Sequence, residues 1–142
     1  MEANHQLQRF IDAQKQDYAT ALNELKNGRK RSHWMWYIFP QIQGLGFSST
    51  SQHYAINDLQ EATAYLKHPI LGQRLVEISK VLLQLDSTDA NEVFGNPDDL
   101  KLKSSMTLFA AVPDADAVFQ QVLDKFFRGN RDQKTVNILD RY

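Results

Sequence analysis

WMWYIF, residues 34–39, is the stretch whose reading decides the fold. As a strand it is apolar on both faces and needs cover above and below; as a helix it is apolar all round and needs burial on every side. The neighbouring segments favour the helix, and no stretch of the chain alternates with period two for long. Ser32 can cap a short helix through His33 to Phe39, with Pro40 ending it.

Working outward toward the N-terminus, Leu7, Phe10, Ile11, Tyr18, Ala21, Leu22 and Leu25 recur at helical spacing, which predicts an amphipathic helix over 4–27 with Gly28 as its C′ residue. Arg29, Lys30 and Arg31 follow at the negative end of that helix dipole, where cations are favoured. Toward the C-terminus, Gln41 to Ser51 is glycine- and serine-rich and reads as loop, so one longer irregular stretch is expected near 41–54. Asn57 with Gln60 makes a capping-box-like start for a helix that His68-Pro69 closes. Pro69 then opens a helix over 69–85 whose apolar stripe is Ile70, Leu71, Leu75, Ile78, Val81, Leu82 and Leu85.

Ser87 or Asp89 caps a short turn ending at Gly95, and Asn96-Pro97-Asp98-Asp99 starts a helix that stops before Pro113. Asp114 or Asp116 starts the next, ended by Gly129, and Asp132 caps a last one. The expectation is an all-α fold, a single multihelical domain over 1–142 with about seven helices.

A chain of 142 residues can bury a sizeable core without a staple. The absence of cysteine excludes disulfides, thiolate metal sites and a cysteine nucleophile. The N-terminus has neither the basic nor the apolar region of an export signal, and no apolar run approaches the roughly 20 residues of a bilayer span, so a soluble cytoplasmic protein is expected. A formal net charge of −1 makes a general nucleic-acid binder an unfavoured reading, leaving only a local basic patch.

His5, His33, His53 and His68 are scattered without metal-ligand spacing, and phosphate-loop and nucleophile-elbow motifs are absent, so no metal or cofactor is expected. Two polar sets carry chemistry. Lys103, Ser104 and Thr107 share a helix face, with Lys101 and Ser105 near it, and together suit a phosphate, although a solvated strip has the same pattern. Arg29, Lys30 and His33 beside Trp34 offer cations and an indole face to a phosphorylated ring, although tryptophans also serve as core; for Trp36 the core reading is favoured.

RKRSHWMWYIFPQIQGLG at 29–46, SxxYAI at 51–56, EATAYLKHPILGQRL at 61–75 and KLKSSMTLF at 101–109 together resemble the bacterial domain-of-unknown-function family numbered 1810 over roughly residues 7–139. The resemblance implies a compact, mainly helical domain and no established activity. The calpastatin-like label often attached to that family suits a disordered inhibitor rather than a chain patterned to fold. IFPQIQGLGFSSTSQHYAI, 38–56, is more faintly similar to the NADAR family, which is linked to NAD and ADP-ribose metabolism. Thr50, Ser51, His53 and Tyr54 fall in step with that family's Thr-Ser-Glu-His-Tyr motif, but Gln52 stands where it has glutamate. An amide neither accepts a proton as a base nor stabilises an oxocarbenium-like centre. The C-terminal acidic and Trp-Gly signature of that family is also absent.

Two functions are expected side by side. In the first, the chain binds or hydrolyses a nucleotide-like small molecule related to ADP-ribose or NAD. Arg29, Lys30 and Lys103 hold phosphate with Ser104 and Thr107, Trp34 and Tyr54 stack, His53 transfers a proton, and Glu61 or Asp132 replaces the missing carboxylate. In the second, the aromatic segment anchors a protein partner without catalysis.

Overall fold

The computed structural model describes residues 2–141, with side chains from Leu7 onward, so His5 lies outside the described side chains. Among the described residues there are nine helices: α1 (Glu2–Lys26), α2 (Met35–Ile38), α3 (Ser49–His53), α4 (Leu59–Lys67), α5 (Leu71–Gln84), α6 (Ala90–Phe94), α7 (Asp98–Ala110), α8 (Val118–Phe127) and α9 (Gln133–Leu139). The all-α expectation holds. The count exceeds seven because α3 and α6 are five-residue helices, too short to display an apolar stripe. No helix among the described residues is long and apolar enough to cross a membrane.

Helix α7 is the hub. Its residues 104–109 are buried without interruption, and it packs against α8, α4, α6 and α9, as a helix enclosed on all sides must. α5 lies between α1, α4 and α8, with its predicted stripe residues Leu71, Leu75, Ile78, Val81 and Leu82 inside, whereas Ile70, expected in the same stripe, stands before the helix and is exposed, and Leu85 after it is half-buried. An aromatic series ties these layers together: Phe10 meets Tyr65 edge-on with ring centroids 5.2 Å apart, Tyr65 meets Phe109 at 5.3 Å, and Phe109 meets Phe119 at 5.9 Å.

Several boundaries shift for identifiable reasons. α4 is capped by Asp58, not Asn57, because the Asp58 carboxylate accepts the Glu61 N–H (2.8 Å) while Glu61 reaches back to the Asn57 N–H (2.9 Å). Pro69 is not the first residue of α5; Nδ1 of His68 accepts the Ile70 and Leu71 N–H groups and turns the chain before the helix begins. Gly72 lets this elbow close, since a Cβ there would lie 2.0 Å from the Leu66 carbonyl oxygen.

WMWYIF is helical only over Met35–Ile38, and Ser32 does not cap it, because its hydroxyl is bound to Glu24. Trp34, Met35, Ile38 and Phe39 are buried, whereas Trp36 and Tyr37 keep part of their surface, so the segment is not enclosed on every side. The long loop after it is held at both ends by a parallel bridge between Ile42 and Ile56 and contains α3, whose N–H at Ser51 is capped by Ser48.

Candidate functional site

The bridge and α3 fold the 41–57 segment into one rim of a cleft of about 1020 Å³. The opposite wall is the exposed end of α7 with Leu100, Lys101, Lys103 and Ser104, and the start of α9 with Arg131, Asp132 and Lys134 closes the end. Thr107 joins these two walls: its Oγ1 donates to the Lys103 carbonyl (2.8 Å) and accepts the Asp132 N–H (2.9 Å). Gly46 brings the rim close to α3, where a Cβ would come within 2.5 Å of the Ser51 hydroxyl.

The cleft combines positive charge with aromatic surface. Lys101, Lys103, Arg131 and Lys134 line it, against one lining carboxylate, Asp132, whose Oδ2 accepts both the Thr135 N–H (3.0 Å) and the Thr135 hydroxyl (2.6 Å) as the cap of α9. Trp36, Tyr54 and Phe47 supply rings. Lys101 Nζ lies 5.1 Å from the centre of the Trp36 ring, and Tyr54 is supported from behind by Tyr37 at 5.1 Å. Phe47 on the loop is 89% exposed and Leu100 on α7 is 55% exposed, so two of the three exposed large apolar side chains among the described residues stand at this cleft.

Of the residues expected from sequence, Tyr54, Lys103, Ser104 and Asp132 line the cleft; Ser104 is nearly buried and its hydroxyl donates to the Leu100 carbonyl. Thr107 lies beneath it as the α7–α9 link. Arg29, Lys30, His33 and Trp34 are elsewhere, and the expected mouth at 29–34 is instead an internal junction. Trp34 is 1% exposed, and its indole N–H donates to Glu24 Oε1 at 2.9 Å. Glu24 also accepts the Arg31 and Ser32 N–H groups and the Ser32 hydroxyl. Burial opposes charge on this carboxyl, yet the donors of Ser32, Arg31 and Trp34 prevail and lower its pKa to about 2.

Lys30 crosses the Trp34 ring at 5.0 Å and pairs with Asp98 at 2.8 Å, tying the α1–α2 link to α7. Arg29 and His33 are exposed outside the cleft. His53 is exposed with its ring edge-on to Tyr54, and does not line the cleft. Glu61 is 6% exposed and also lies off the cleft, paired with Arg9 at 3.1 Å. Arg9 in addition donates to the His53 and Ala55 carbonyls, so this pair fastens the 53–57 rim from behind.

Sequence reasoning missed Trp36 as a lining residue, and missed Phe47, Arg131 and Lys134 altogether. A signal existed for the last two: cations at the start of a helix oppose its dipole, and that departure asks for an explanation. Among the described residues, no group of three or more His, Asp or Glu could hold a metal ion.

The chain matches, over residues 4–139, the family described as "Protein of unknown function (DUF1810)". It is also similar to the crystal structure of the conserved hypothetical protein Rv1873 from Mycobacterium tuberculosis, at 48% identity and a TM-score of 0.92, covering 94% of this chain and 96% of that one. No curated protein matches it. With nearly its whole length accounted for by that family model, the chain belongs to the DUF1810 family.

Proposed function

We propose that the protein binds a nucleotide-like small molecule, related to ADP-ribose or NAD, in the cleft between the 41–57 rim and the α7–α9 wall. One observation carries the reading: four cations and three aromatic rings line a single hollow whose one carboxylate is already engaged as a helix cap. Lys103, Arg131 and Lys134 suit phosphate, by charge and, for the arginine, by its paired donors. Trp36 and Tyr54 suit a planar ring. Binding is better supported than hydrolysis, because Asp132 is held through its Oδ2 as the cap of α9, and Gln52, which lines the cleft, offers no carboxylate in its place.

Thermal-shift titration tests this. A ligand at a hundred times its dissociation constant adds about 2.7 kcal/mol to stability. ADP, ADP-ribose and NAD are expected to raise the melting temperature of the wild type and of Arg29→Glu, and to lose that effect in Lys103→Glu and Arg131→Glu. Flat curves across all three ligands, or equal loss in Arg29→Glu, overturn the proposal. Exposed Phe47 and Leu100 favour a second reading, a non-catalytic protein-docking surface. That reading requires Phe47→Ala to abolish capture of a specific protein while ligand titrations stay flat.

A further inference from the structure

We infer that Gln41 determines which ring the cleft accepts, its carboxamide reading the hydrogen-bonding edge of an adenine. The inference rests on the nucleotide-binding reading above and names the residue that gives that site its base selectivity. Phosphate contacts and stacking hold any nucleotide alike, so selectivity needs a group that meets the edge of the ring with a donor and an acceptor side by side.

Gln41, Gln43, Gln52, Asn57 and Gln133 bring carboxamides to the cleft. Gln52 Nε2 donates to the Phe47 carbonyl (3.2 Å), Gln133 Nε2 donates to Asn137 Oδ1 (2.9 Å), and Gln43 and Asn57 have partners as well. The lining hydroxyls of Ser51 and Ser104 donate to the Ser48 and Leu100 carbonyls. Gln41 is half-buried, and among the described residues its carboxamide makes no hydrogen bond. Its oxygen and its nitrogen are both left for a ligand.

The backbone under this side chain is fixed. Pro40 and Ile42 on either side are buried, the Gln41 carbonyl accepts the Ile56 N–H (2.8 Å), and the Gln43 N–H donates to the Ile56 carbonyl (2.8 Å). The parallel bridge between Ile42 and Ile56 thus seats Gln41 beside the 54–56 segment. Along the chain it stands between the two rings proposed to stack, with Trp36 five residues before it and Tyr54 two residues before Ile56. A polar arm on a rigid backbone is what precise edge recognition requires. Adenine, the ring common to ADP, ADP-ribose and NAD, suits it: the 6-amino group donates to the carboxamide oxygen, and the adjacent ring nitrogen accepts from the carboxamide N–H.

The test is a calorimetric cycle of ADP and purine riboside 5′-diphosphate, which lacks only the 6-amino group, on the wild type and Gln41→Met. The bridge uses main-chain atoms of residue 41, and methionine is of similar length without the donor and acceptor, so the variant is expected to fold. The wild type is expected to prefer ADP about tenfold, the scale of one matched pair of hydrogen bonds at a base edge. Gln41→Met should bind ADP about tenfold more weakly than the wild type does and should bind the two ligands alike, because each change removes the same interaction. A wild type without preference, or a Gln41→Met variant that keeps it, overturns the inference about Gln41 alone. Failure of the wild type to bind either ligand overturns the nucleotide reading and this inference with it.

Discussion

Replacing Glu24 by alanine should be among the most damaging changes available at a partly exposed position. The carboxylate gathers four donors, and one of them, the Trp34 indole N–H, belongs to a side chain 1% exposed. The backbone donors of Arg31 and Ser32 can turn to water, whereas the indole has nowhere to go. An orphaned buried donor costs about 1–3 kcal/mol, and with the loss of the charged acceptor for the link the expected destabilisation is about 2–3 kcal/mol. In a domain of this size that lowers the melting temperature by roughly 5–10 °C. The assay is a double-mutant cycle with Trp34→Phe, which removes the indole donor. Glu24→Ala should cost at least about 1 kcal/mol less in the Trp34→Phe background than in the wild type. Acid titration gives an independent check. The folded-state pKa is lowered from 4.5 to about 2, so the contribution of Glu24 is fully present above pH 4.5 and is lost as the pH falls through 2. The stability gap between wild type and Glu24→Gln should narrow over that window. Additive single mutants, or a Glu24→Gln variant with the wild type's stability and the same acid slope, would refute this account of the junction.

Two further substitutions test the supports behind the cleft. Arg9→Ala leaves Glu61 buried without its cation and should cost about 3–5 kcal/mol in a denaturant melt, with Glu61→Gln milder; equal losses in the two variants would show that the charge pair is not what holds the 53–57 rim. Gly72→Ala places a Cβ 2.0 Å from the Leu66 carbonyl oxygen, a backbone atom that cannot step aside, so a loss of about 3 kcal/mol or more is expected and an unchanged melting temperature would contradict the elbow's geometry.

The architecture was legible where one residue sufficed to specify a local event. Asp89 and Asp132 cap α6 and α9, Asp116 accepts the first N–H of α8, and the stripe of α5 faces inward. Legibility ended where the deciding partner was distant or the element too short for a pattern. α3 consists of serine, threonine, glutamine and histidine without a buried side, and only the Ser48 cap marks it. The start of α5 depends on the His68 side chain and on close approach to Leu66, neither of which a stripe records. For the site, the Lys103–Ser104 face led to the cleft. The 29–34 cluster leads away from it, because cations and indole adjacent in sequence are not adjacent at a ligand here: Glu24 on the preceding helix holds the Trp34 indole.

Two departures from helix-dipole preference separate scaffold from site. Glu24 lies in the last turn of α1, where a carboxylate opposes the dipole, and Arg131 and Lys134 flank the cap of α9, where cations oppose it. The first departure is compensated inside the fold: Glu24 receives four donors from the next link and becomes part of the core's boundary. The second is not, since Arg131 finds only the neutral Gln120 oxygen at 3.1 Å and Lys134 finds no partner among the described residues. Lys101, paired with Asp98 at 3.5 Å, and Lys103 stand across the same hollow, so a chain with a net charge of −1 concentrates positive charge in one place. A concavity lined by one sign of charge focuses its field, and this is the ground on which an anionic ligand is proposed. An unfavourable charge with an internal partner is architecture; one left open at a cleft is where a ligand's own charge would complete the structure.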